Sequence, residues 1–320
     1  MNEKRDLNAI CTCMQLNNMD IISENKQFQL NTDCAVAIGK FDGVHLGHRK
    51  LINVLKAECN KRNLAPVVFT FDPSPAVFFS KDKVFRELST RDEKRRLFEM
   101  AGIDALIEFP LDAESAATEP ENFIRDILVR MMHTKAICAG PDLSFGHMGK
   151  GNLELIRLLQ SECGYDVVTV DKEFYEDEEI SSSRIRAAIS EGRMEEATAM
   201  LGAPYSLTGK VLHGNRIGRT IGFPTINQEA PDEKLMPPFG VYKSIVQIGD
   251  KPFQGITNIG VKPTVSHAHV MSAETFLYDF EGDLYDREVT LELLHFKRPE
   301  QKFHSIDELK EQIARDIAEP

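Results

Sequence analysis

Two histidines three positions apart form the first part of this sequence whose residue types could do chemistry. His45 and His48 lie in the stretch GKFDGVHLGH, residues 39–48, directly after a short apolar run. At the start of a predicted helix, both rings would lie beside the free N–H groups of the first turn, which bind phosphate well. Gly43 and Gly47 would let the backbone approach a ligand closely. The motif predicts donors for phosphate oxygens that gain charge during a displacement at phosphorus.

A second stretch offers the same chemistry far along the chain. ISSSRIR, residues 180–186, places three serines before a helical pattern and two arginines within it. Serine hydroxyls cap helix starts, and guanidinium groups donate to phosphate. Each motif alone also fits a plain alternative, namely histidines packed at a helix start or a serine-capped helix with solvated arginines. Their combination indicates a nucleotide site, and the residues concerned are Ser181, Ser182, Ser183, Arg184 and Arg186.

A third stretch, GNRIGRTIGFPTIN at residues 214–227, has a different design. Its glycines and arginines predict a loop that wraps phosphates. Pro224 stiffens the approach to Thr225 and Asn227, whose oxygens are hard ligands suited to Mg²⁺ held with ATP phosphates. Ordinary turn chemistry between strands is the alternative, and no Walker-type GxxxxGK[ST] motif occurs. The loop residues are Gly214, Arg216, Gly218, Arg219 and Gly222.

The pattern of apolar residues predicts two different folds in the two halves of the chain. Short apolar runs at 34–39, 65–71, 105–109, 136–140 and 166–170 alternate with amphipathic stretches. This rhythm predicts a doubly wound, Rossmann-like parallel sheet with ligands at the carboxyl ends of its strands. Beyond Ala203, evenly spaced strand-like runs separated by Gly, Pro and Asn predict a small antiparallel β-barrel. Ser305 and Glu308 have capping-box spacing before a C-terminal helix.

Length and composition limit the remaining choices. A chain of 320 residues favours two domains. We expect a disordered extension at 1–18, an α/β domain at 19–188, a helical linker at 189–203 and a barrel domain at 204–320. The formal net charge of −12 argues against nonspecific nucleic-acid binding. The six cysteines form no CxxC pair, and no apolar run approaches 18 residues, so we expect a reduced, cytoplasmic protein.

The motifs of the first half resemble those of a known enzyme family. GKFDGVHLGH, TFDPSP at 70–75, AGPDLSFG at 139–146 and ISSSRIR are similar to the HxGH nucleotidylyltransferases, and within them to the FAD synthetase domain of bifunctional riboflavin kinase/FAD synthetases. The resemblance implies that His45 and His48 contact ATP phosphates and that the two arginines, Arg184 first, assist pyrophosphate departure. The sequence departs from the family pattern at two places. Ser74 lies where histidine is common, and Leu143-Ser144 replaces an aromatic residue and an arginine. Nucleotide contacts are expected from Gly39, Phe41, Gly43, Gly47, Asp142, Ser181, Ser182, Ser183 and Arg186.

The motifs of the second half resemble the riboflavin kinases. GNRIGRTIGFPTIN matches the signature GxxxGRxxGFPTxN, and the similarity continues to residue 320 through GVYKS, NIGVKPTV and AETFLYDFEGDLYDREV. It implies that Glu274 is the general base for the riboflavin 5′-hydroxyl, although a glutamate on a strand can equally be a surface residue. Strand alternation puts Glu274 on the same face as Phe276 and Tyr278.

Together these resemblances imply a bifunctional enzyme of flavin cofactor synthesis. The barrel would phosphorylate riboflavin to FMN with ATP and Mg²⁺, and the α/β domain would transfer AMP to FMN, giving FAD and pyrophosphate. We expect small-molecule partners only, with no nucleic acid or membrane, in a monomer or weak homo-oligomer. One alternative is an adenylyltransferase for another phosphate, such as phosphopantetheine or nicotinamide mononucleotide. Another is a flavin-binding regulator without turnover.

Overall fold

A computed structural model describes residues 19–80, 85–214, 222–263 and 269–318. The predicted extension at 1–18 lies outside the described residues. So do three residues of the predicted phosphate loop, Arg216, Gly218 and Arg219. None of the described helices is both long and apolar enough to cross a bilayer.

The first half of the chain folds around a parallel sheet, as predicted. Its strands are β1 (Asp20–Ser23), β2 (Cys34–Ile38), β3 (Ala65–Asp72), β4 (Ala105–Pro110), β5 (Thr134–Ala139) and β6 (Asp166–Thr169). They lie in the order β1-β4-β3-β2-β5-β6. Every residue of β2 is buried, which explains its unbroken apolar run, because helices cover both faces of the sheet. The chain builds outward from β2 first on one side and then on the other, so the carboxyl end of β2 is a topological switch point.

The predicted helices of this domain are present, with short additions. They are α1 (Leu46–Arg62), α2 (Pro75–Phe78), α3 (Arg91–Met100), α4 (Ala113–Ala116), α5 (Pro120–Asn122), which continues into a π-helical segment at Phe123–Met131, a 3-10 turn at His147–Gly149, and α6 (Leu153–Cys163). Thr90 and Glu93 form a capping box that starts α3. A two-stranded hairpin of β7 (Phe174–Tyr175) and β8 (Glu178–Glu179) was not expected from the sequence pattern.

Two helices that precede the barrel share its core. α7 (Ser182–Ser190) and α8 (Met194–Leu201) bury apolar side chains in one cluster with barrel residues such as Leu207 and Leu291. Met194, Ala197, Met200 and Leu201 all belong to this cluster. The region predicted as a linker therefore packs as part of the hydrophobic core that the barrel uses.

The second half of the chain is an antiparallel barrel closed at its edges. Its strands are β9 (Tyr205–Lys210), β10 (Thr225–Glu229), β11 (Gly240–Ile248), β12 (Lys251–Pro263), β13 (His269–Leu277) and β14 (Glu288–Pro299), in the order β10-β13-β12-β11-β14-β9. The edges meet where the N–H of Leu212 donates to the carbonyl of Asn227 at 2.7 Å. The Gln228 side chain also donates to the carbonyls of Gly209 and Val289, both at 3.1 Å. This closure confirms the predicted barrel.

The C-terminal helix α9 (Ile306–Ala318) begins as the capping pattern predicts. The Ser305 hydroxyl accepts the N–H of Glu308 at 3.2 Å, while the Glu308 carboxylate accepts the N–H of His304 at 2.9 Å, one residue earlier than in a standard capping box. Near its other end, Asp316 pairs with Arg298 of β14 at 2.6 Å. This ion pair, largely buried, anchors the helix on the barrel.

The shared core leads to a test of where the barrel domain starts. A chain shortened to residues 194–320 should unfold at a higher temperature than one shortened to 203–320, because only the first keeps the apolar side chains of α8. Four such side chains correspond to several kcal/mol, and about 1 kcal/mol shifts the midpoint of a domain this small by roughly 4–8 °C. Thermal unfolding followed by circular dichroism measures both midpoints. Equal midpoints would mean that α8 does not stabilise the barrel.

Candidate active sites

A cavity of about 280 Å³ opens at the carboxyl edge of the parallel sheet. It lies at the switch point, where residues that follow β2, β5 and β6 converge. The two phosphate motifs of the first half therefore meet, although they are far apart in the sequence. The predicted residues that line the cavity are Gly39, His45, Gly47, His48, Asp142, Ser181 and Ser182.

The two histidines face this cavity as a stacked pair. His45 is the N-cap residue of α1, and its ring lies 3.8 Å from that of His48, at an interplanar angle of 23°. Within the ranges that the structure describes, neither Nδ1 atom has a hydrogen-bond partner, although both atoms are buried. Buried polar atoms are normally bonded, so two unpartnered ring nitrogens at a cavity indicate a ligand that supplies acceptors.

Both histidines are held in the neutral form. Burial lowers the pKa of His45 to about 4, against the opposing effect of the Asp142 charge. Burial, together with the neighbouring His45, lowers the pKa of His48 well below its usual value. A neutral imidazole carries one N–H donor and one acceptor. The pair can therefore donate to phosphate oxygens without a buried positive charge at the cavity.

Two predicted contact residues support the cavity from behind. Gly43 has a φ of +80°, and a Cβ there would lie 2.8 Å from the side chain of Leu88. Phe41 is fully buried between the rings of His48 and Phe98. Neither is among the residues that line the cavity. The glycine meets a positive φ and close packing on Leu88, and its contact with the nucleotide stays a prediction.

Only some residues of the motif ISSSRIR line the cavity; the others contact neighbouring parts of the protein. Ser181 caps α7 by accepting the N–H of Arg184 at 3.3 Å, while Ser183 is exposed and lies outside the cavity. The Arg184 guanidinium donates to the carbonyls of Tyr175 and Glu178, at 2.9 and 3.0 Å. Arg186 binds the Asp42 carboxylate instead. In this structure both arginines hold protein groups, so their contact with pyrophosphate stays a prediction.

Two lysines at the cavity were not among the predicted contact residues, although Lys40 lies within the motif at residues 39–48. Lys40 and Lys172 both line it, and Lys172 pairs with Glu179 at 2.7 Å and with Asp142 at 3.6 Å. Each lies within three residues of the carboxyl end of a strand, β2 or β6. That position was an available signal for both, because ligands of such sheets bind there.

A second candidate site lies on the barrel where three strands pair. Glu274 of β13 is paired directly with Asn227 of β10 and with Asn258 of β12. Directly paired residues share one face of a sheet, so these three side chains lie side by side. The Thr225 hydroxyl donates to Oε1 of Glu274 at 2.7 Å. Glu274 is half-buried, as are Phe276 and Tyr278 on its face. The sequence analysis did not predict the register that adds Asn258 to this face.

Gly214, at the start of the predicted phosphate loop, has a packing role. A Cβ on Gly214 would lie 2.5 Å from Nδ2 of Asn227, so the backbone passes directly over that carboxamide. Gly222 has a φ of +88°, and Pro224 is exposed just before β10. Phe223, between them, packs edge-on against Phe276 at 5.6 Å. The chain on both sides of the loop is thus fixed against the Glu274 face.

The oxygens at this face fit a hard cation. Because the Thr225 hydroxyl donates its hydrogen to Glu274, its lone pairs stay available to a metal. The Asn227 carboxamide supplies a second neutral oxygen on the neighbouring part of β10. Two neutral protein oxygens combined with phosphate and water oxygens are a common Mg²⁺ environment.

Comparisons with known proteins agree with the two-domain organisation. The FAD synthetase family model matches residues 27–184, and the riboflavin kinase family model matches residues 201–320. The bifunctional riboflavin kinase/FMN adenylyltransferase of Escherichia coli strain K12 is 38% identical over 284 residues, 88% of this chain and 90% of that protein. The chain belongs to the family of bifunctional riboflavin kinase/FMN adenylyltransferases. The relative of the same name from Bacillus subtilis strain 168 is 35% identical over 89% of this chain and 90% of its own length.

A solved structure supports the fold over both domains. A crystal structure described as a macrolide-efflux protein from Streptococcus pneumoniae superposes with a TM-score of 0.82 at 31% identity. The match covers 93% of this chain and 97% of that one. The order of an FAD synthetase domain followed by a riboflavin kinase domain also disfavours the alternatives in which the barrel is only an accessory or a regulator.

The two departures from the FAD synthetase pattern have local explanations. Ser74 is buried and caps α2, since its hydroxyl accepts the N–H of Val77 at 3.4 Å. Leu143 and Ser144 line the cavity, where an aromatic residue and an arginine are common in the family. This wall of the cavity is therefore less charged than the family pattern predicts.

The depressed histidine pKa has a measurable consequence for stability. Below pH 6.5 the unfolded chain takes up a proton at His45, whereas the folded chain stays neutral there down to about pH 4. Stability is therefore lost as the pH falls through this window. Replacing His45→Gln should remove about 2 kcal/mol of the loss in the free energy of unfolding between pH 7 and pH 4.5. Urea unfolding at both pH values measures it, and the exposed His304→Gln serves as the control. An unchanged pH dependence in His45→Gln would contradict a neutral His45.

Proposed function

We propose that the His45–His48 cavity transfers AMP from ATP to FMN and that the Glu274 face phosphorylates riboflavin. The observation that carries the first assignment is the pair of buried, unpartnered imidazole nitrogens beside the first turn of α1. The second assignment depends on the hydrogen bond between Thr225 and Glu274. The product of the barrel site, FMN, is then the substrate of the α/β site.

In adenylyl transfer the protein positions the two substrates and neutralises phosphate charge, because no covalent nucleophile is needed. A phosphate oxygen of FMN attacks the α-phosphorus of ATP, and the bond from that phosphorus to the bridging oxygen breaks, releasing pyrophosphate. Charge grows on the departing phosphates. His45, His48 and the N–H groups at the start of α1 donate to those oxygens. Lys40 and Lys172 add positive charge at the cavity wall. No proton has to be removed, since the attacking phosphate is already ionised.

In riboflavin phosphorylation a proton must leave the 5′-hydroxyl. Glu274 accepts it while the oxygen attacks the γ-phosphorus of ATP and ADP departs. The Thr225 hydroxyl, 2.7 Å from Oε1, fixes the orientation of the carboxylate. Thr225 and Asn227 would hold Mg²⁺, which supplies charge neutralisation at the phosphates. We assign Arg216 and Arg219, together with the N–H groups of Gly218 and its neighbours, to the same phosphates.

The proposal includes the partners of the protein, its location and its oligomeric state. The partners are the small molecules riboflavin, FMN and ATP, with Mg²⁺, and the protein works in the cytoplasm as a monomer or weak homo-oligomer. A net charge of −12 supports the exclusion of nonspecific nucleic-acid binding.

Substitutions should separate the two activities. His48→Ala should abolish FAD formation while FMN still accumulates from riboflavin, because the imidazole belongs to the α/β cavity. Asn227→Ala should do the reverse and still convert supplied FMN into FAD. Chromatography of products from riboflavin or FMN with ATP and Mg²⁺ measures both steps. Equal loss of both steps in either variant, with normal circular dichroism, would count against two separate sites.

Glu274→Gln tests the general base. The amide has the same shape and can still accept the Thr225 hydrogen bond, but it cannot take a proton. We expect kcat for riboflavin phosphorylation to fall by roughly 10²–10⁴, with riboflavin binding nearly unchanged. FAD formation from supplied FMN should stay normal.

A matched variant and a Mg²⁺ titration separate the alternatives. Glu292→Gln changes another half-buried glutamate on a barrel strand and should stay within about twofold of the wild type. Partial rescue of Glu274→Gln by high Mg²⁺ would indicate a metal ligand instead of a base. Full activity of Glu274→Gln would remove this carboxylate from the mechanism.

A further inference from the structure

Residues 85–89, here called the interdomain segment, run between the two domains and bind both. On the barrel side the segment pairs with the stretch before β11 in a short parallel bridge. The N–H of Glu87 donates to the carbonyl of Glu233 at 2.6 Å, and the N–H of Leu235 donates to the carbonyl of Glu87 at 2.8 Å. The segment is thus attached to the barrel by backbone hydrogen bonds.

A buried lysine of the barrel reinforces this attachment. The Lys234 side chain is only 1% exposed, and its Nζ donates to the carbonyl of Leu88 at 3.0 Å and to Oε2 of Glu93 at 2.6 Å. The same Nζ lies 4.6 Å from the centre of the Tyr205 ring. Withdrawing an ammonium group from water costs several kcal/mol unless partners of this kind surround it. The Leu88 carbonyl is therefore held in a fixed place relative to the barrel.

The opposite side of the interdomain segment binds the α/β domain through one carboxylate. The N–H of Leu88 donates to Oδ1 of Asp42 at 2.7 Å. Oδ2 of Asp42 accepts from Arg186, which also donates to the carbonyl of Arg86 and lies over the Phe85 ring at 4.0 Å. Leu88 thus links Lys234 on one side to Asp42 on the other through its own peptide groups.

Asp42 in turn fixes the walls of the adenylyl-transfer cavity. Its carbonyl accepts the Ser182 hydroxyl at 3.0 Å, which joins the two phosphate motifs. Its neighbour Phe41 packs against the ring of His48, with centroids 5.1 Å apart. A shift of Asp42 would therefore move cavity residues of both motifs.

We propose that Lys234, a residue of the riboflavin kinase domain, is a positioning residue for adenylyl transfer. It acts through the Leu88 peptide on Asp42, and Arg186 holds the same carboxylate from the other side. This inference rests on the proposed function of the His45–His48 cavity. It makes the barrel a structural part of the site that converts its product.

Two substitutions in the full-length protein test the connection from its two ends. Lys234→Met keeps the apolar stem but removes the donor to Leu88, and Asp42→Asn keeps the shape but removes the charge that binds Arg186. Each should lower kcat for FAD formation from FMN and ATP by roughly 10–100-fold, since about 1 Å of misplacement has effects of that size. The KM values for both substrates should change by less than about threefold, and riboflavin phosphorylation should stay within about twofold.

The control is another ion pair between the domains. Arg96 and Glu288 lie 2.5 Å apart, are about half exposed, and do not contact the interdomain segment. Arg96→Gln should leave both activities within about twofold. If Lys234→Met fails to fold, Lys234→Met with Glu93→Met removes both buried charges, an exchange that proteins often tolerate. The Thr90 hydroxyl still caps α3 in this variant, but the N–H of Thr208 loses its bond to Glu93, so FAD formation should be reduced at least as much.

Coupling between the two ends distinguishes positioning from general destabilisation. The double variant Lys234→Met/Asp42→Asn should be no more than about threefold worse than the poorer single variant, because both break one connection. Multiplied effects, parallel loss of both activities, or normal FAD formation in a folded variant without Lys234 would overturn the proposal. His48→Ala, run alongside, keeps the two hypotheses apart. If His48→Ala still makes FAD, the function assigned to the cavity is wrong. If His48→Ala is inactive while the Lys234 variants are normal, only the positioning role is wrong.

Discussion

The Asp42 carboxylate, with 8% of its side chain exposed, needs donors for both of its oxygens, since a buried carboxylate without them is too costly to keep ionised. The structure supplies them from two distant parts of the chain, the Leu88 N–H and the Arg186 guanidinium. Satisfying this one group brings the loop before α1, the start of α7 and the interdomain segment to one place. Two of these elements, the loop before α1 and the start of α7, contribute residues to the lining of the first cavity. Its geometry therefore follows from the solvation requirement of a residue that does not line it.

The two sites solve different chemical problems with different means. Adenylyl transfer begins with an ionised nucleophile, so the cavity needs donors and no base, and burial keeps the two imidazoles neutral. Riboflavin phosphorylation begins with an alcohol, so its site needs a proton acceptor. The acceptor we propose, Glu274, is paired with two neighbouring strands, and the Thr225 hydroxyl is bonded to it. The contrast between the two settings matches the chemistry expected of each step.

Local patterns in the sequence were enough to predict what depends on local structure. The apolar runs predicted all the central parallel strands. The change near Ala203 to strand-like runs separated by Gly, Pro and Asn predicted the barrel. The motif at residues 39–48 predicted the histidine pair at a helix start. Features that depend on distant contacts were missed. The packing of Gly43 against Leu88, 45 positions later in the sequence, is one such contact, because no motif encodes it. Arg186 was expected to contact pyrophosphate, but its partner in this structure is Asp42, 144 positions earlier. Asn258 joined the Glu274 face only through strand register, which no short motif encodes.

Charge imposes a further condition on the first cavity. Among the residues that the structure describes, two lysines line it, Lys40 and Lys172, against four carboxylates, Asp142, Asp171, Glu173 and Glu179. A triphosphate entering this cavity meets a lining whose formal charge is 2 − 4 = −2, so charged side chains alone do not account for its binding. Donors without net charge become decisive here, namely the free N–H groups at the start of α1 and the neutral imidazoles of His45 and His48. Because these donors are effective only at hydrogen-bond distance, such a cavity depends more on precise geometry than on the long-range field of the protein. The same condition explains why groups outside the cavity lining, such as Asp42 and Arg186, are bonded so completely to the elements that form it.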